Sequence, residues 1–492
     1  MNDFKALLES ADQGHMPSTA YDTAWIARLG ELDYDISNRA LAWISEHQLA
    51  DGSWGTSELY NYYDRVVCTL AAMIALTRRG RRAHDRIQIA KGLVALEKIS
   101  SQADERMLID PNGATVGFEL IVPTLISEAE KLEIISHLGD RILGRLQAKR
   151  AKKLSAMGGA KINRHISAAF SAEMAGTDML EVLDLKNLKE VNGSVGHSPS
   201  ATAYLAQNVQ ADPALMQYLR KVITPDGGAP NVAPFDVFER GWVLWNLALA
   251  GNHSPEITAQ CQPQLDFLEK AWQPGQGIGW AAGYTPKDGD DTGLVCEVLA
   301  RFGRPVDFEA LFSYEQEKWF RCFAHEANPS VSANIHILGA LRHAGFAADH
   351  PAVRKILSFL RETRNASGYW EDKWHVSPYY ASAHVVVACA GYAPEPVKPT
   401  VDWLLKTQRA DGSWGFYMPT AEETAYSMQA LCTWRSHAEE AVREPLKRGA
   451  AWLQDHREPP YPALWIGKCL YSPELVVRSA ISSALEMENH WG

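Results

Sequence analysis

Three aspartates stand within four positions in the segment PKDGDDTG, residues 286–293 of the 492-residue chain. Asp288, Asp290 and Asp291 repel one another when ionised, so at least one is expected to keep its proton well above the usual pKa of a carboxyl group. A carboxyl group held in that state can act as a general acid. A solvated loop or a calcium-type turn has a similar composition, so the segment alone leaves these interpretations open.

The chain around this segment has the pattern of one helix after another. Apolar residues recur at helical spacing, with a glycine often ending the run. No sustained alternation of the kind that is typical of strands is present. The sequence therefore predicts an all-α protein, with the clearest helical patterns at 65–80, 118–138, 241–251 and 334–345.

A tryptophan-containing repeat occurs twice in the chain. WISEHQLADGSWG (Trp43–Gly55) and WLLKTQRADGSWG (Trp403–Gly415) share Trp, Gln and ADGSWG, and weaker echoes cover 267–280 and 359–370. In each copy an apolar helix is expected to end at a glycine that can adopt positive φ, and a tryptophan then folds back over the helix end. Repetition of this kind predicts helical hairpins that close into rings.

The separation between the two strongest copies predicts two α-barrels rather than one. Residues 20–205 are expected to form the first barrel, and residues 1–19 together with 206–492 the second. A chain of this length has room for two or three domains, so this division agrees with its size. No Pro/Ser-rich linker marks the boundary.

The composition argues against some classes of binding partner and indicates the cellular compartment of the protein. A net charge of -11 without a long basic run argues against nucleic acid. Seven cysteines without CxxC spacing indicate free thiols in a reducing compartment, which predicts a cytoplasmic protein. The N-terminal segment lacks the apolar core of a signal peptide, and no stretch approaches about 18 consecutive apolar residues, so no transmembrane segment is predicted. The oligomeric state is not predicted.

Several further motifs, in order along the chain, resemble those of the class II terpene cyclases and in particular the bacterial class II diterpene cyclases. DGDDT is similar to the DXDD acid motif of that family, and the tryptophan repeats are similar to its QW motifs. The overall run of motifs resembles the bacterial synthases that make halimadienyl or kolavenyl diphosphate. The remaining matching segments are STAYDTAW (18–25), YDRVVCTLAAMIAL (63–76), VGFELIVPTL (116–125), NGSVGHSPSATA (192–203), FDVFERGW (235–242), DKWHVSPYYASAH (372–384) and PPYPALWIGKCLYSP (459–473). The resemblance implies two α-barrels in the βγ arrangement of these cyclases.

The resemblance also implies a reaction that begins with protonation of the terminal alkene of geranylgeranyl diphosphate. Asp290 is then the proton donor, and Asp288 and Asp291 orient it or stabilise its charge. A polar residue of PSVSANIHIL is expected to hold the acid, with Asn334 favoured over His336. Gly289 and Gly293 replace the larger residues that are usual in the family, which predicts a less constrained backbone at the acid.

Cations formed during the reaction need stabilisation by groups that are not nucleophiles. Aromatic faces provide it through cation–π attraction, on the order of 1–2 kcal/mol each when water is excluded. The motif positions indicate five such residues: Trp280, Tyr284, Trp374, Tyr379 and Tyr380.

The diphosphate of the implied substrate needs positive charge and Mg²⁺. The cationic candidates are Lys161, Arg164, Lys373 and Lys468, with Lys161 favoured; a solvated surface charge is an equally open interpretation of each. The segment QADERMLID resembles the acidic, Mg²⁺-linked motif of the family, which makes Asp104 and Glu105, with Asp110, candidate metal ligands. A solvated loop is the alternative for that segment.

The final step requires a base, for which His197 in VGHSPS is the candidate, with a bound water as the alternative. The chain has no DDxxD or NSE-type motif, so the product is expected to keep its diphosphate and pass to a separate class I synthase or phosphatase. A rearranged halimadienyl or kolavenyl skeleton is predicted. Copalyl diphosphate is the alternative product.

Three other functions remain open from the sequence. A drimenyl-type synthase would use farnesyl diphosphate, and a squalene–hopene-type enzyme would use a triterpene. A non-enzymatic α-barrel that binds isoprenoids, comparable to a prenyltransferase subunit, would need a zinc ligand set, and no spaced set is evident in the sequence.

Overall fold

The computed structural model describes residues 2–11, 16–80, 82–102, 114–136, 146–156, 159–251, 254–324, 326, 328–393 and 395–490. Within these ranges the chain is helical, which confirms the all-α prediction. The one pair of strands they contain is a short antiparallel hairpin, β1 (Trp465–Ile466) and β2 (Leu470–Tyr471). No helix in the described ranges has the length and apolar character needed to cross a bilayer.

The described residues of the first half form nine α-helices. They are α1 (Asn2–Ser10), α2 (Ala20–Ala27), α3 (Tyr34–Glu46), α4 (Tyr62–Arg79), α5 (Ala83–Gln102), α6 (Phe118–Lys131), α7 (Leu146–Ala156), α8 (Pro199–Asn208) and α9 (Pro213–Val222), with 3₁₀ helices at Ser167–Ala175 and Leu180–Val182.

Eleven more α-helices lie in the described part of the second half. They are α10 (Asp236–Ala250), α11 (Pro255–Ala271), α12 (Gly289–Arg301), α13 (Phe308–Phe312), α14 (Val331–His343), α15 (Pro351–Thr363), α16 (Pro378–Cys389), α17 (Lys398–Thr407), α18 (Ala421–Trp434), α19 (Glu439–Asp455) and α20 (Glu474–Asn489), with 3₁₀ helices at Glu395–Val397 and Arg435–His437.

Six helices of the second half form a closed inner ring. Each packs on the next in the order α10, α12, α14, α16, α18 and α20, and α20 returns to α10. Helices such as α11, α15, α17 and α19 lie outside this ring, which makes an α/α-barrel. The acid segment begins α12, so the ring places it among five other helices.

A smaller ring forms in the first half of the chain. Helices α2, α4 and α6, the 3₁₀ helix Ser167–Ala175 and α8 pack in that order, and α8 returns to α2. Two hydrophobic cores correspond to the two rings, and α1 contributes Phe4, Leu7 and Leu8 to the second core. Helix α9 packs Leu215 and Leu219 into the first core, although it lies beyond the predicted boundary at 205.

The tryptophan repeat has the same geometry in three copies. The indole N–H groups of Trp54, Trp370 and Trp414 each donate to a helical carbonyl ten positions earlier, at 2.8 Å. These bonds satisfy carbonyls at helix ends that would otherwise lack a partner. The echo at 267–280 differs, because the buried indole N–H of Trp280 makes no such bond and its ring stacks instead on Tyr284.

Many helices begin with a polar cap followed by proline. Ser198, Asp212, Ser254 and Ser377 each accept a hydrogen bond from the first turn of their helix, and each is followed by proline at the first helical position. Proline fits this position because its fixed φ is helical and its missing N–H has no partner to lose. The local sequence therefore determines where these helices start.

Candidate active site

Asp288 is the N-cap of helix α12. Its Oδ1 accepts the backbone N–H groups of Asp290 at 3.1 Å and Asp291 at 2.8 Å. Aspartate is favoured at this position because it satisfies the free N–H groups of the first turn. Asp288 thereby fixes the backbone that carries the other two carboxyl groups.

The two glycines of the acid segment permit close packing. A Cβ on Gly289 would lie 2.3 Å from the carbonyl oxygen of Arg321, and one on Gly293 would lie 2.9 Å from the backbone nitrogen of Ile337. The expectation of a loosely constrained backbone is therefore wrong. Helix α12 lies so close to α14 and to the loop before it that larger residues would have to displace them.

Helix α14 supplies the groups that contact Asp290. Ser332 donates from its Oγ to Asp290 Oδ1 at 2.6 Å, and Nε2 of His336 lies 3.8 Å from the same oxygen. Since the single hydroxyl proton of Ser332 is used for Asp290, its oxygen accepts from the hydroxyl of Tyr380, 3.0 Å away. A chain of two hydroxyl groups therefore ends at the carboxyl group.

The predicted partner Asn334 does not contact the acid. Its amide accepts from the N–H of Phe320 and donates to the carbonyls of Phe320 and Ser330. All these partners are backbone groups, so Asn334 fixes the loop that precedes α14. Ser332 and His336, one helical turn apart, occupy the position that was assigned to Asn334.

Burial keeps protons on the acid cluster. It raises the pKa of Asp290 to about 7, and the hydrogen bond from Ser332 opposes that rise. Burial also raises the pKa of Asp288, again to about 7, and lifts that of Asp291 well above its usual range, with repulsion from neighbouring carboxylates adding to both. Near neutral pH the cluster therefore carries less negative charge than three aspartates would carry in water.

The three carboxyl groups differ in their exposure to solvent. The side chain of Asp290 is 18% exposed, whereas Asp288 and Asp291 are buried residues. A proton donor must reach its acceptor directly or through one water. Asp290 therefore has the best access to a reacting molecule, and the other two are placed to influence its charge.

His336 is neutral beside this acid. Burial lowers its pKa to about 4, and its Nδ1 has no hydrogen-bond partner among the described residues. The imidazole also packs edge-on against Trp242, with ring centroids 5.1 Å apart. An uncharged imidazole next to Asp290 avoids an ion pair that would hold the carboxyl group ionised.

Three of the predicted aromatic residues lie in one connected group. Trp280 stacks on Tyr284 with centroids 3.8 Å apart, and Phe323 links Trp280 to Trp374 through edge contacts at 6.5 and 6.1 Å. Burial raises the pKa of Tyr284, and the nearby carboxyl groups of Asp288 and Asp291 add to that rise, which places this group next to the acid cluster. Phe323 was not identified from the sequence.

Tyr379 faces away from the acid. Its ring packs on Trp403 of the outer helix α17, with centroids 4.5 Å apart. The adjacent Tyr380 is the residue that contacts Ser332, and it also packs against Trp465 at 4.9 Å. The placement of Tyr379 in the site is therefore wrong, while Tyr380 takes the position next to the acid.

Lys468 is fully buried and paired within the protein. Its Nζ lies 2.6 Å from Glu173 Oε1 and 2.6 Å from each of Ser198 Oγ and Ser200 Oγ. These partners occupy all three of its donors. The assignment of Lys468 to diphosphate binding is therefore wrong in this conformation, and the lysine instead joins the β1–β2 hairpin to the first ring.

The other three cationic candidates differ in their surroundings. Lys373 is paired with Glu326 at 2.6 Å and donates to the carbonyl of Asn328. Arg164 is half-buried and Lys161 is exposed. Their roles toward a diphosphate remain predictions. Asp104, Glu105 and Asp110 lie outside the described residues, so the structure does not bear on their assignment to Mg²⁺.

His197 lies in a turn just before α8 and has a positive φ of 55°. Its ring is buried, packs 5.5 Å from Tyr284 and faces the carbonyls of Pro234 and Gly283 without a hydrogen bond of good geometry. Burial lowers its pKa to about 4. The imidazole is therefore neutral, and a neutral imidazole has one ring nitrogen that can accept a proton.

The chain is similar to a known protein family and to several known proteins and structures. A family model for the squalene-hopene cyclase C-terminal domain matches residues 324–460. A type B diterpene cyclase of Mycobacterium tuberculosis is 46% identical over 99% of both chains. The labda-7,13-dienyl diphosphate synthase of Streptomyces clavuligerus is 31% identical over 97% of this chain and 91% of that protein. The structure of ent-copalyl diphosphate synthase from Streptomyces platensis superposes with a TM-score of 0.83, at 30% identity and 99% coverage of both chains.

Proposed function

Because the chain belongs to the class II diterpene cyclases, we propose that it protonates the terminal alkene of geranylgeranyl diphosphate and releases a bicyclic diterpenyl diphosphate. The observation that carries this proposal is the geometry of Asp290. It is the most accessible of three clustered carboxyl groups, burial raises its pKa to about 7, and it accepts a hydrogen bond from Ser332. Protonation of an alkene needs such a neutral acid in a site that excludes water.

Each residue near the acid has a distinct part in the proposed step. When Asp290 gives up its proton, the hydroxyl of Ser332 stabilises the new carboxylate, and Tyr380 polarises Ser332 in turn. Trp280, Tyr284 and Trp374 present aromatic faces to the carbocation. The diphosphate stays attached throughout, because the reaction consumes only the alkene.

The experiment that tests this function compares two substrates. The protein is incubated with geranylgeranyl and farnesyl diphosphates, and the products are treated with phosphatase and identified by NMR. Cyclised C20 alcohols from geranylgeranyl diphosphate support the proposal. Turnover of farnesyl diphosphate alone would favour the drimenyl-type function, and absence of turnover with both, despite tight binding, would favour the isoprenoid-binding subunit.

Mg²⁺ and the partners of the reaction are also proposals. Mg²⁺ would neutralise and anchor the diphosphate when bound, with Asp104 and Glu105 as ligands, and Lys161, Arg164 and Lys373 would add positive charge. A separate class I synthase or a phosphatase would consume the product. The seven cysteines are all unpaired and buried, which agrees with the proposed reducing, cytoplasmic environment.

The pH dependence of the reaction should report the ionisation of Asp290. Below about pH 7 the acid is protonated and kcat/KM should be constant, and above it kcat/KM should fall about tenfold per pH unit. Ser332→Ala removes the hydrogen bond that lowers this pKa, so the decrease of kcat/KM should begin at a higher pH. The constant value of kcat/KM at low pH should be about 10- to 100-fold smaller than in the wild type. The exposed Ser358 provides a control variant, Ser358→Ala, with an unchanged profile. If the decrease of kcat/KM began at a lower pH in Ser332→Ala, the assignment of this ionisation to Asp290 would be contradicted.

The proposed product is a rearranged halimadienyl or kolavenyl diphosphate, with copalyl diphosphate as the alternative. The first bicyclic cation loses a proton at once if a base is near, and otherwise hydride and methyl shifts continue. The buried, neutral His197 is the proposed terminal base. The outcome therefore depends on which carbon of the cation this base can reach.

Substitution of His197 should change the product more than the rate. We expect His197→Ala and His197→Phe to redistribute the products, measured by gas chromatography–mass spectrometry after phosphatase treatment, while total turnover falls less than about tenfold, because protonation at Asp290 is untouched. The wild-type product ratio is the reference. If both variants gave the same products as the wild type in the same ratio, His197 would not be the base.

A further inference from the structure

Three side chains with metal-binding atoms converge where the two rings meet. Asp64 and Cys68 lie on α4 of the first ring, and Cys469 lies in the β1–β2 hairpin near the end of the chain. Their ligand atoms lie within 4.8 Å of one another, and all three residues are buried. Across the described ranges of the chain, this is the one group of three or more His, Cys, Asp or Glu side chains with that geometry.

The fold holds these groups in place from two directions. Asp64 and Cys68 are four positions apart, so they share one face of α4 and the thiol lies 3.7 Å from Asp64 Oδ1. The same oxygen accepts the N–H of Leu470, and Oδ2 accepts the N–H of Thr56. Asp64 therefore anchors the hairpin that brings Cys469 to the site.

An unpartnered polar group borders the cluster. Asn231 is fully buried, and its Nδ2 lies 3.7 Å from the sulfur of Cys469 and 2.9 Å from Asp22 Oδ2. Its Oδ1 has no hydrogen-bond partner among the described residues. An unsatisfied buried carbonyl oxygen costs about 1–3 kcal/mol, and the amide group that carries it contacts Cys469, one of the three side chains of the cluster.

The spacing and chemistry of these atoms fit a soft divalent ion. Ligands arranged tetrahedrally at about 2.3 Å from Zn²⁺ lie roughly 3.7 Å apart, which is the separation seen between Cys68 and Asp64. Thiolates select Zn²⁺ or Cd²⁺, whereas Mg²⁺ prefers oxygen ligands and several waters. This cluster is therefore chemically distinct from the acidic segment proposed for Mg²⁺.

We propose that Asp64, Cys68 and Cys469 form a binding site for one Zn²⁺-like ion that fastens the C-terminal hairpin to the first ring. Binding replaces two S–H bonds with two metal–sulfur bonds and releases two protons to solvent, with no change in oxidation state. The hairpin carries Trp465, which packs on Tyr380 beside the acid. The ion thus stabilises the contact between the two rings on which the acid site depends.

The site can be tested by ion uptake of the reduced, chelator-treated full-length protein. We expect the wild type to take up about one Cd²⁺ or Zn²⁺ per chain in competition with a chromophoric chelator, and its melting temperature to rise with the ion. Cadmium-113 NMR of the wild type should show a shift that corresponds to two thiolate ligands. This last measurement does not depend on any variant folding.

Matched cysteine variants locate the ion. Cys68→Ser and Cys469→Ser should lose the stoichiometric uptake and the rise in melting temperature, whereas Cys432→Ser, a buried cysteine of α18 outside the cluster, should retain both. No uptake by the wild type, or equal uptake by Cys68→Ser, would overturn the proposal. The proposal would also be overturned if Cys68 and Cys469 formed a disulfide in the untreated protein and the protein bound no ion after that disulfide was reduced. None of these outcomes depends on the cyclase reaction.

Discussion

Asp290→Asn is expected to abolish cyclisation, lowering turnover of geranylgeranyl diphosphate at least about 1,000-fold, within the range that a general acid contributes. The amide has nearly the same volume as the carboxyl group and can still accept a hydrogen bond from Ser332, so the fold should be kept. The asparagine amide has no proton that is acidic enough to protonate an alkene. Turnover is measured by product mass spectrometry, and folding by circular dichroism.

Two further variants make this result specific. Asp307 caps α13 by accepting the N–H of Ala310, and Asp307→Asn should retain both cap and activity because asparagine caps helices as well as aspartate does. Asp288→Asn should also keep its cap and lose less activity than Asp290→Asn. If Asp288→Asn lost as much activity as Asp290→Asn, or more, the donor would have been misassigned.

Lys468→Met is expected to lower the free energy of unfolding by about 3–5 kcal/mol, because it leaves Glu173 buried without its partner. The lysine is completely buried, so solvent cannot replace the lost interaction. Unfolding by urea, followed by circular dichroism, measures the change.

The double variant Lys468→Met, Glu173→Gln separates pairing from packing. Removing the second charge should recover part of the lost stability, since the remaining amide is neutral. A role in diphosphate binding predicts a different outcome, with an increased KM and an unchanged unfolding midpoint in Lys468→Met. That outcome would restore the assignment made from the sequence and contradict the structural role.

The sequence predicted the acid but not the groups around it. Three aspartates within four positions indicate a shared proton without any knowledge of the fold. Choosing between Ser332, Asn334 and His336 required the rotation of α14: residues four apart share a face, whereas residues two apart point in nearly opposite directions. The same reason separates Tyr380 from Tyr379. Sequence spacing alone does not show which face of a helix points toward α12.

The buried charge at Lys468 also could not be found from the sequence. Its partners Ser198, Ser200 and Glu173 lie 268 to 295 positions away, and nothing local distinguishes a buried lysine from a solvated one. The helical class and the turn of the tryptophan repeat are local properties, so periodicity and glycine positions predicted them. The packing of α9 on the first core is a tertiary property, which the boundary predicted at 205 did not capture.

Protonation of the substrate from Asp290 is most directly tested by one isotope measurement. Geranylgeranyl diphosphate is converted in D₂O, in which the carboxyl proton of Asp290 exchanges with solvent. We expect one deuterium at the ring methylene derived from the CH carbon of the terminal alkene, with no inorganic diphosphate released. A product without deuterium at that carbon, formed together with inorganic diphosphate, would show ionisation rather than protonation and would contradict the proposed mechanism.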